Sequence, residues 1–285
     1  MIERTGGPSG VARQRWRVVF ARGHAAGQFA HAEALKRWES ALLAAGIPLA
    51  FSLGQPPRAR LVFAAPLPAG MLAAGELADL VLAERLTMPE LRARLNACLP
   101  AGYCLVDLFD VWLGEPTAAA TLVAADYRVV LRAASNAELA EACAALLGAA
   151  QIPLARTKGS GGASVPFDLR PQLLGLEVAA DMPVDPCPAA VSAAAALAVS
   201  PAPVLSVATD PGATPATPAT MPPVTVTVTV RMRLQLARDA AAARPEEVVH
   251  ALAQALGRPL DTVLTTRERL WTVSDLDDRA RASGR

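Results

Sequence analysis

From Val224 to Leu236 every even position is apolar (Val224, Val226, Val228, Val230, Met232, Leu234, Leu236), while the odd positions carry Thr, Arg and Gln. Strict alternation of period two predicts a long strand with one buried and one polar face. A second strand is expected over Arg15 to Arg22, where Trp16, Val18 and Phe20 share a face against Arg15, Arg17 and Val19. The next stretch changes period. From Gly27 to Ala45, Phe29, Ala32, Leu35, Trp38 and Leu42 recur at spacings of three and four, which predicts an amphipathic helix ended by Gly46 in the left-handed position.

Short extended segments are expected at Ile47 to Ser52, Arg60 to Ala64 and Glu76 to Ala83, separated by turns containing Pro and Gly. Thr87, followed by Pro89 and Glu90, reads as the N-cap of a helix through Leu91, Leu95 and Cys98, and Tyr103 to Trp112 as the strand after it. The same order then returns. Tyr127 to Arg132 reads as a strand, Ala137 to Ala149 as a helix capped by Ser135 or Asn136, and Ile152 to Thr157 and Leu173 to Ala179 as strands. Beyond the alternating strand, Arg244-Pro245-Glu246-Glu247 opens a helix capped by Gly257, and Val263 to Val273 supplies the last strand.

The repetition extends to the residues themselves. Arg17-Val18-Val19-Phe20 and the later Ile47-Pro48-Leu49-Ala50 return as Arg128-Val129-Val130-Leu131 and Ile152-Pro153-Leu154-Ala155. Self-similarity on this scale predicts a tandem duplication of a β-α-β-β-β-α-β unit. The expected fold is therefore α+β, with two ferredoxin-like halves at 15–117 and 125–273, packed side by side around a cleft between their sheets. Flexible tails are expected at 1–14 and 274–285. Residues 182–223 hold ten prolines, twelve alanines and no aromatic or basic residue, so a disordered insertion is expected there.

Composition narrows the function classes. The chain has 285 residues, enough for two ordinary domains, and 53% hydrophobic residues, much of that alanine. No run supplies the ~20 strongly apolar residues of a membrane span, and the N-terminus lacks a signal-peptide core, so a cytoplasmic location is expected. The net charge of +1 provides no global attraction for nucleic acid. Lys36 and Lys158 are the only lysines, and the arginine surplus fits either phosphate recognition or a biased codon supply. Cys98, Cys104, Cys143 and Cys187 have no paired spacing for zinc and read as reduced, buried thiols.

Several segments resemble a bacterial family known as radical SAM-linked, or radical SAM-associated, proteins, a domain of unknown function. That family's Phe-x-Ser-His-Leu-Asp is matched by Phe29-Ala30-His31-Ala32-Glu33. Its Gly-Pro-Pro-Leu-Pro-Leu-Gly is matched by Ala64-Ala65-Pro66-Leu67-Pro68-Ala69-Gly70, and its Gly-Glu-x-x-Asp by Gly75-Glu76 with Asp79. Asp168-Leu169-Arg170-Pro171 and Arg244-Pro245-Glu246-Glu247-Val248 also resemble family segments. The family's Phe, Asn and His in the turn are Gln55, Pro56 and Arg58 here, which dismantles part of whatever polar site that turn forms. Members occur fused to radical SAM enzymes or beside them, which implies a partner enzyme or a substrate-handling role. The chain is not itself such an enzyme, because that chemistry needs three closely spaced cysteines around an iron–sulfur cluster.

The leading expectation is a non-catalytic accessory module with no cofactor or metal, using His31, Glu33, Arg58 and Arg60 at the edge of the cleft. One alternative is an RNA-binding module with arginine strips on the sheets, from Arg15 and Arg17 in the first half and Arg231 and Arg233 in the second. A hydrolase or nuclease acting through His31 and Glu33 is another. Asp107 and Asp110, three apart on a strand, point to opposite faces and read as solvated edge residues. Lys158-Gly159-Ser160-Gly161-Gly162 reads as a hairpin tip rather than a phosphate loop.

Overall fold

The computed structural model describes residues 11–133, 135–157, 164–180, 184–187, 226–236 and 242–275. The glycine-rich segment 158–162 and residues 188–225, nearly all of the proline- and alanine-rich insertion, lie outside the described residues.

The first half begins with β1 (Gln14–Arg22), a short helix α1 (His24–Gly27) and α2 (His31–Ala44). It continues with β2 (Leu61–Phe63), β3 (Met71–Leu82), α3 (Met88–Cys98) and β4 (Tyr103–Val111). The short helix α4 (Ala118–Thr121) leads into β5 (Leu122–Ala133), α5 (Asn136–Gly148), β6 (Pro153–Thr157), β7 (Ser164–Asp168) and β8 (Leu173–Ala179). Last come β9 (Val226–Gln235), α6 (Pro245–Leu256) and β10 (Asp261–Thr272).

Seven strands lie in the order β4-β1-β3-β10-β5-β9-β8, and β2 adds to β3 as the eighth. Within each half all pairings are antiparallel, β4-β1-β3-β2 in the first and β10-β5-β9-β8 in the second. Both halves thus have the same strand order. The halves meet at one parallel pairing, Thr265 to Arg267 of β10 against Met71 to Ala73 of β3. β3 is long enough to hold β2 along Leu80 to Ala78 and β10 along Met71 to Ala73.

That pairing corrects the expected arrangement: the halves share one continuous sheet, and no cleft separates two sheets. The other corrections are local. Ile47 to Ser52 makes only isolated bridges, Leu49 to Leu82 and Phe51 to Ala59. β6 pairs with β7 in a separate two-stranded sheet. The first helix is broken after Gly27, because the carbonyl of Gly27 accepts from Gly70 N–H and that of Phe29 accepts from Arg22. Its buried face is Ala34, Trp38 and Leu42, with Ala32 exposed.

Local chemistry behaves as the sequence implies elsewhere. Thr87 and Glu90 form a reciprocal capping box on α3, Ser135 caps α5, and Gly257 closes α6 at φ 64°. Val228, Val230, Met232 and Leu234 enter the larger core with α5 and α6. A second core gathers Trp16, Val18 and Phe20 of β1 against Trp38, Leu42, Leu91 and Leu95 of the helices. Since side chains alternate along a strand, Arg17 and Val19 must face the opposite side of the sheet.

Candidate functional site

Two places concentrate chemistry. The first is a buried polar cluster where the halves join. Arg22, at 0% exposure, ends β1 and donates to the carbonyls of Met71 (3.0 Å), Phe29 (2.9 Å) and Pro68 (2.5 Å). Arg267, at 3%, holds Glu76, at 0%, through bonds of 2.5 and 2.6 Å and also donates to Pro66 (3.1 Å). Two guanidinium groups therefore take three carbonyls of the segment from Pro66 to Met71, those of Pro66, Pro68 and Met71. Burial opposes the Arg267 charge, but the Glu76 carboxylate more than offsets it and raises its pKa.

His31 opens α2 beside this cluster, with its ring edge-on to Phe63 at a centroid distance of 5.8 Å. Its Nδ1 is buried and has no hydrogen-bond partner among the described residues. Burial, then the Arg267 and Arg22 charges, push its pKa below that of a free histidine, with Glu76 opposing. Both Glu76 oxygens are taken by Arg267, so that carboxylate is not free to act as a base toward the ring.

The expected constellation around His31 is not assembled. Glu33 pairs with Arg37 one helical turn on (2.9 Å), and Arg37 stacks on Phe29. Arg58 and Arg60 are exposed on the bridge-linked hairpin, without an ion pair among the described residues. No hydrogen bond or ion pair there joins His31 to Glu33, Arg58 or Arg60. Arg22, Glu76, Asp79 and Arg267 were not singled out as partners, although acids at 76 and 79 inside an otherwise apolar strand are the trace they leave in the sequence.

The expected arginine strips are likewise not open cationic surfaces. Arg15 is buried, bound to Asp79 at 2.6 Å and to the carbonyls of Glu115 and Pro116. Arg17 reaches the other Asp79 oxygen at 3.1 Å. In the second half Arg233 binds Asp126 through bonds of 2.6 and 2.9 Å, and Arg231 lies 3.7 Å from Glu268, itself held by Arg128. Trp271 adds to this network, stacking with Arg233 and Arg269 and donating to Asp126. Asp107 accepts from Leu108 N–H and Arg92, which together hold its carboxyl below the usual range, and Asp110 accepts from Gln14.

The second place is a groove of about 610 Å³ on the sheet face away from α2 and α3. Val19, Gly75, Leu77 and Leu270 come from β1, β3 and β10, and Val106, Phe109 and Val111 from β4. Val106 is 50% and Phe109 48% exposed, and Trp112, just past β4, is 77% exposed. Its charges are already matched: Arg269 to Asp275, Asp107 to Arg92, and Glu268 to Arg128. Gly75 keeps the seam close, since a Cβ there would lie 3.0 Å from the carbonyl oxygen of Glu268. A smaller hollow of about 400 Å³, sharing Glu268, continues over Arg231, Arg233 and Gly175. Among the described residues no three His, Cys, Asp or Glu side chains converge as metal ligands, and no helix is long and apolar enough to cross a membrane.

Residues 15–201 match the family described as "Uncharacterized protein conserved in bacteria (DUF2344)". The chain belongs to that family. A crystal structure of an unknown protein from Galdieria sulphuraria aligns over 87% of this chain and 96% of its own, at 13% identity and a TM-score of 0.23, too low to bear on the fold. No curated protein matches.

Proposed function

We propose that the chain is an accessory module that holds a separate radical SAM enzyme, or the substrate-bearing part of it, on the open face of its sheet. The observation that carries this reading is the groove over β4, β1, β3 and β10, where Val106 and Phe109 are half exposed beside ion pairs that are already closed. Exposed apolar side chains gathered in one place mark an interaction surface more readily than a reaction centre. The family resemblance supplies the partner. The matching strand order of the halves supports tandem duplication as their origin, with the seam between the copies as the place where a site appears once.

Co-expression with a radical SAM enzyme encoded beside the gene tests this. The expected result is a complex that survives purification with the native chain and is lost with Phe109→Asp, while the variant melts as the native protein does. An enzyme that is not retained, or is retained equally by the variant, overturns the reading.

Single-stranded RNA contact is favoured by one observation, the exposed Arg58 and Arg60, which have no ion pair among the described residues. Binding at low salt that disappears when both are replaced by Ala would support it.

A further inference from the structure

Cys104 of β4 and Cys187 are joined by a disulfide, 83 residues apart in sequence, which corrects the expectation of four reduced thiols. Cys104 belongs to one edge strand, and Cys187 follows by eight residues the end of β8, the other edge strand. The bond ties the chain leaving the second half to the outer strand of the first.

Among the described residues, few other contacts hold the residues around Cys187. Cys187 is buried but belongs to neither apolar core, and Val184 is 82% exposed. Asp185 accepts from Cys187 N–H at 2.9 Å and from His24 N–H at 3.3 Å. Beneath them lies Gly23, whose own N–H donates to the Gly102 carbonyl. A Cβ at Gly23 would fall 2.5 Å from the Cys187 carbonyl oxygen and closer still to Asp185, so residues 185–187 lie flat on bare backbone. Gly23 directly follows Arg22, so this clasp rests against the arginine that organises the Pro66 to Met71 loop.

We propose that Cys104 and Cys187 form a redox-controlled latch, closed as the disulfide and opened by a dithiol reductant, that fastens residues 184–187 to β4 and Gly23. Cys98 and Cys143 remain thiols, so the chain is no disulfide scaffold. Cys104 is only half buried, which leaves that side of the bond open to a thiolate although Cys187 is buried. In opening, a thiolate of the reductant attacks Cys104 Sγ, the S–S bond breaks, and Cys187 leaves as a thiolate and takes up a proton. The reductant's second thiol then resolves the mixed disulfide, so that two electrons pass to the chain and the reductant becomes a disulfide.

The test uses the full chain without any partner. The protein is equilibrated across dithiothreitol buffers of graded reduced-to-oxidised ratio, quenched with acid and alkylated under denaturing conditions with N-ethylmaleimide. The expected intact masses carry two adducts at the oxidising end and four at the reducing end, changing in one step. In parallel, elastase cleavage next to Val184 is expected to rise about tenfold on reduction, as a local opening would produce. Cys187→Ser should be cleaved at the fast rate in every buffer, and Cys98→Ser should switch as the native chain does. Four adducts throughout would mean that the bond does not form. Two adducts throughout would mean a static brace. Either result, or slow cleavage of Cys187→Ser, overturns the latch.

Discussion

Glu76 of β3 and Arg267 of β10 face one another as a two-pronged ion pair across the seam, with Nε to Oε1 at 2.5 Å and the second guanidinium nitrogen to Oε2 at 2.6 Å. The two residues are 191 apart in sequence, and both side chains are almost wholly buried. The parallel pairing of β3 with β10 spans only Met71 to Ala73, so this pair secures the junction where the ladder is short.

Glu76→Gln should cost about 3–5 kcal/mol, because it strands a buried guanidinium charge beside an amide. Arg267→Met should cost a similar amount. The double variant should cost less than the sum of the two, and urea unfolding of all four proteins measures that coupling. Strict additivity would show that the pair does not act as a unit.

The lowered pKa of His31 sets a direction for pH dependence. The unfolded chain takes up a proton below roughly pH 6.5 while the folded ring does not, so stability falls as pH drops from about 7 toward 5. His31→Asn should flatten that part of the curve. Thermal melts at closely spaced pH values should show the difference, and parallel curves for the two proteins would contradict it.

Gly102 has φ 84°, and a Cβ there would lie 2.5 Å from the amide nitrogen of Ala26 in α1. Gly102→Ala should destabilise by about 2 kcal/mol or more, since strain and collision act together. Gly148, at the end of α5, has open space around it, and Gly148→Ala should be neutral or stabilising by up to about 1 kcal/mol. Denaturant midpoints of the two variants should therefore move in opposite directions or differ sharply in size.

Thr87 accepts from Glu90 N–H, and Glu90 returns a carboxylate to Thr87 N–H at 2.9 Å. Thr87→Ala should cost about 1 kcal/mol, chiefly by leaving the first turn of α3 uncapped. Glu90, fully exposed, has its pKa lowered by the Thr87 backbone and hydroxyl, so the cap also weakens as pH falls through the carboxylate range. A Thr87→Ala variant whose melting temperature matches the native value at neutral pH would rule this out.

What the sequence determined by itself was whatever short-range rules control. The alternation from Val224 to Leu236 marked β9, and Thr87-x-x-Glu90, Ser135 and Gly257 marked helix ends, because period and capping depend on neighbours within a few residues. The tertiary structure alone decided how the halves join, and with it the site. A parallel register of three residues, the Glu76–Arg267 and Asp79–Arg15 pairs and the Cys104–Cys187 bond all link positions far apart in the chain. The same arginine pattern fits an open cationic strip or a buried ion pair, and only the carboxylates brought across the sheet distinguish the two. For that reason Arg15 is buried and Arg17 is held against Asp79 at the groove, which became visible beside Phe109 only once β10 lay next to β3.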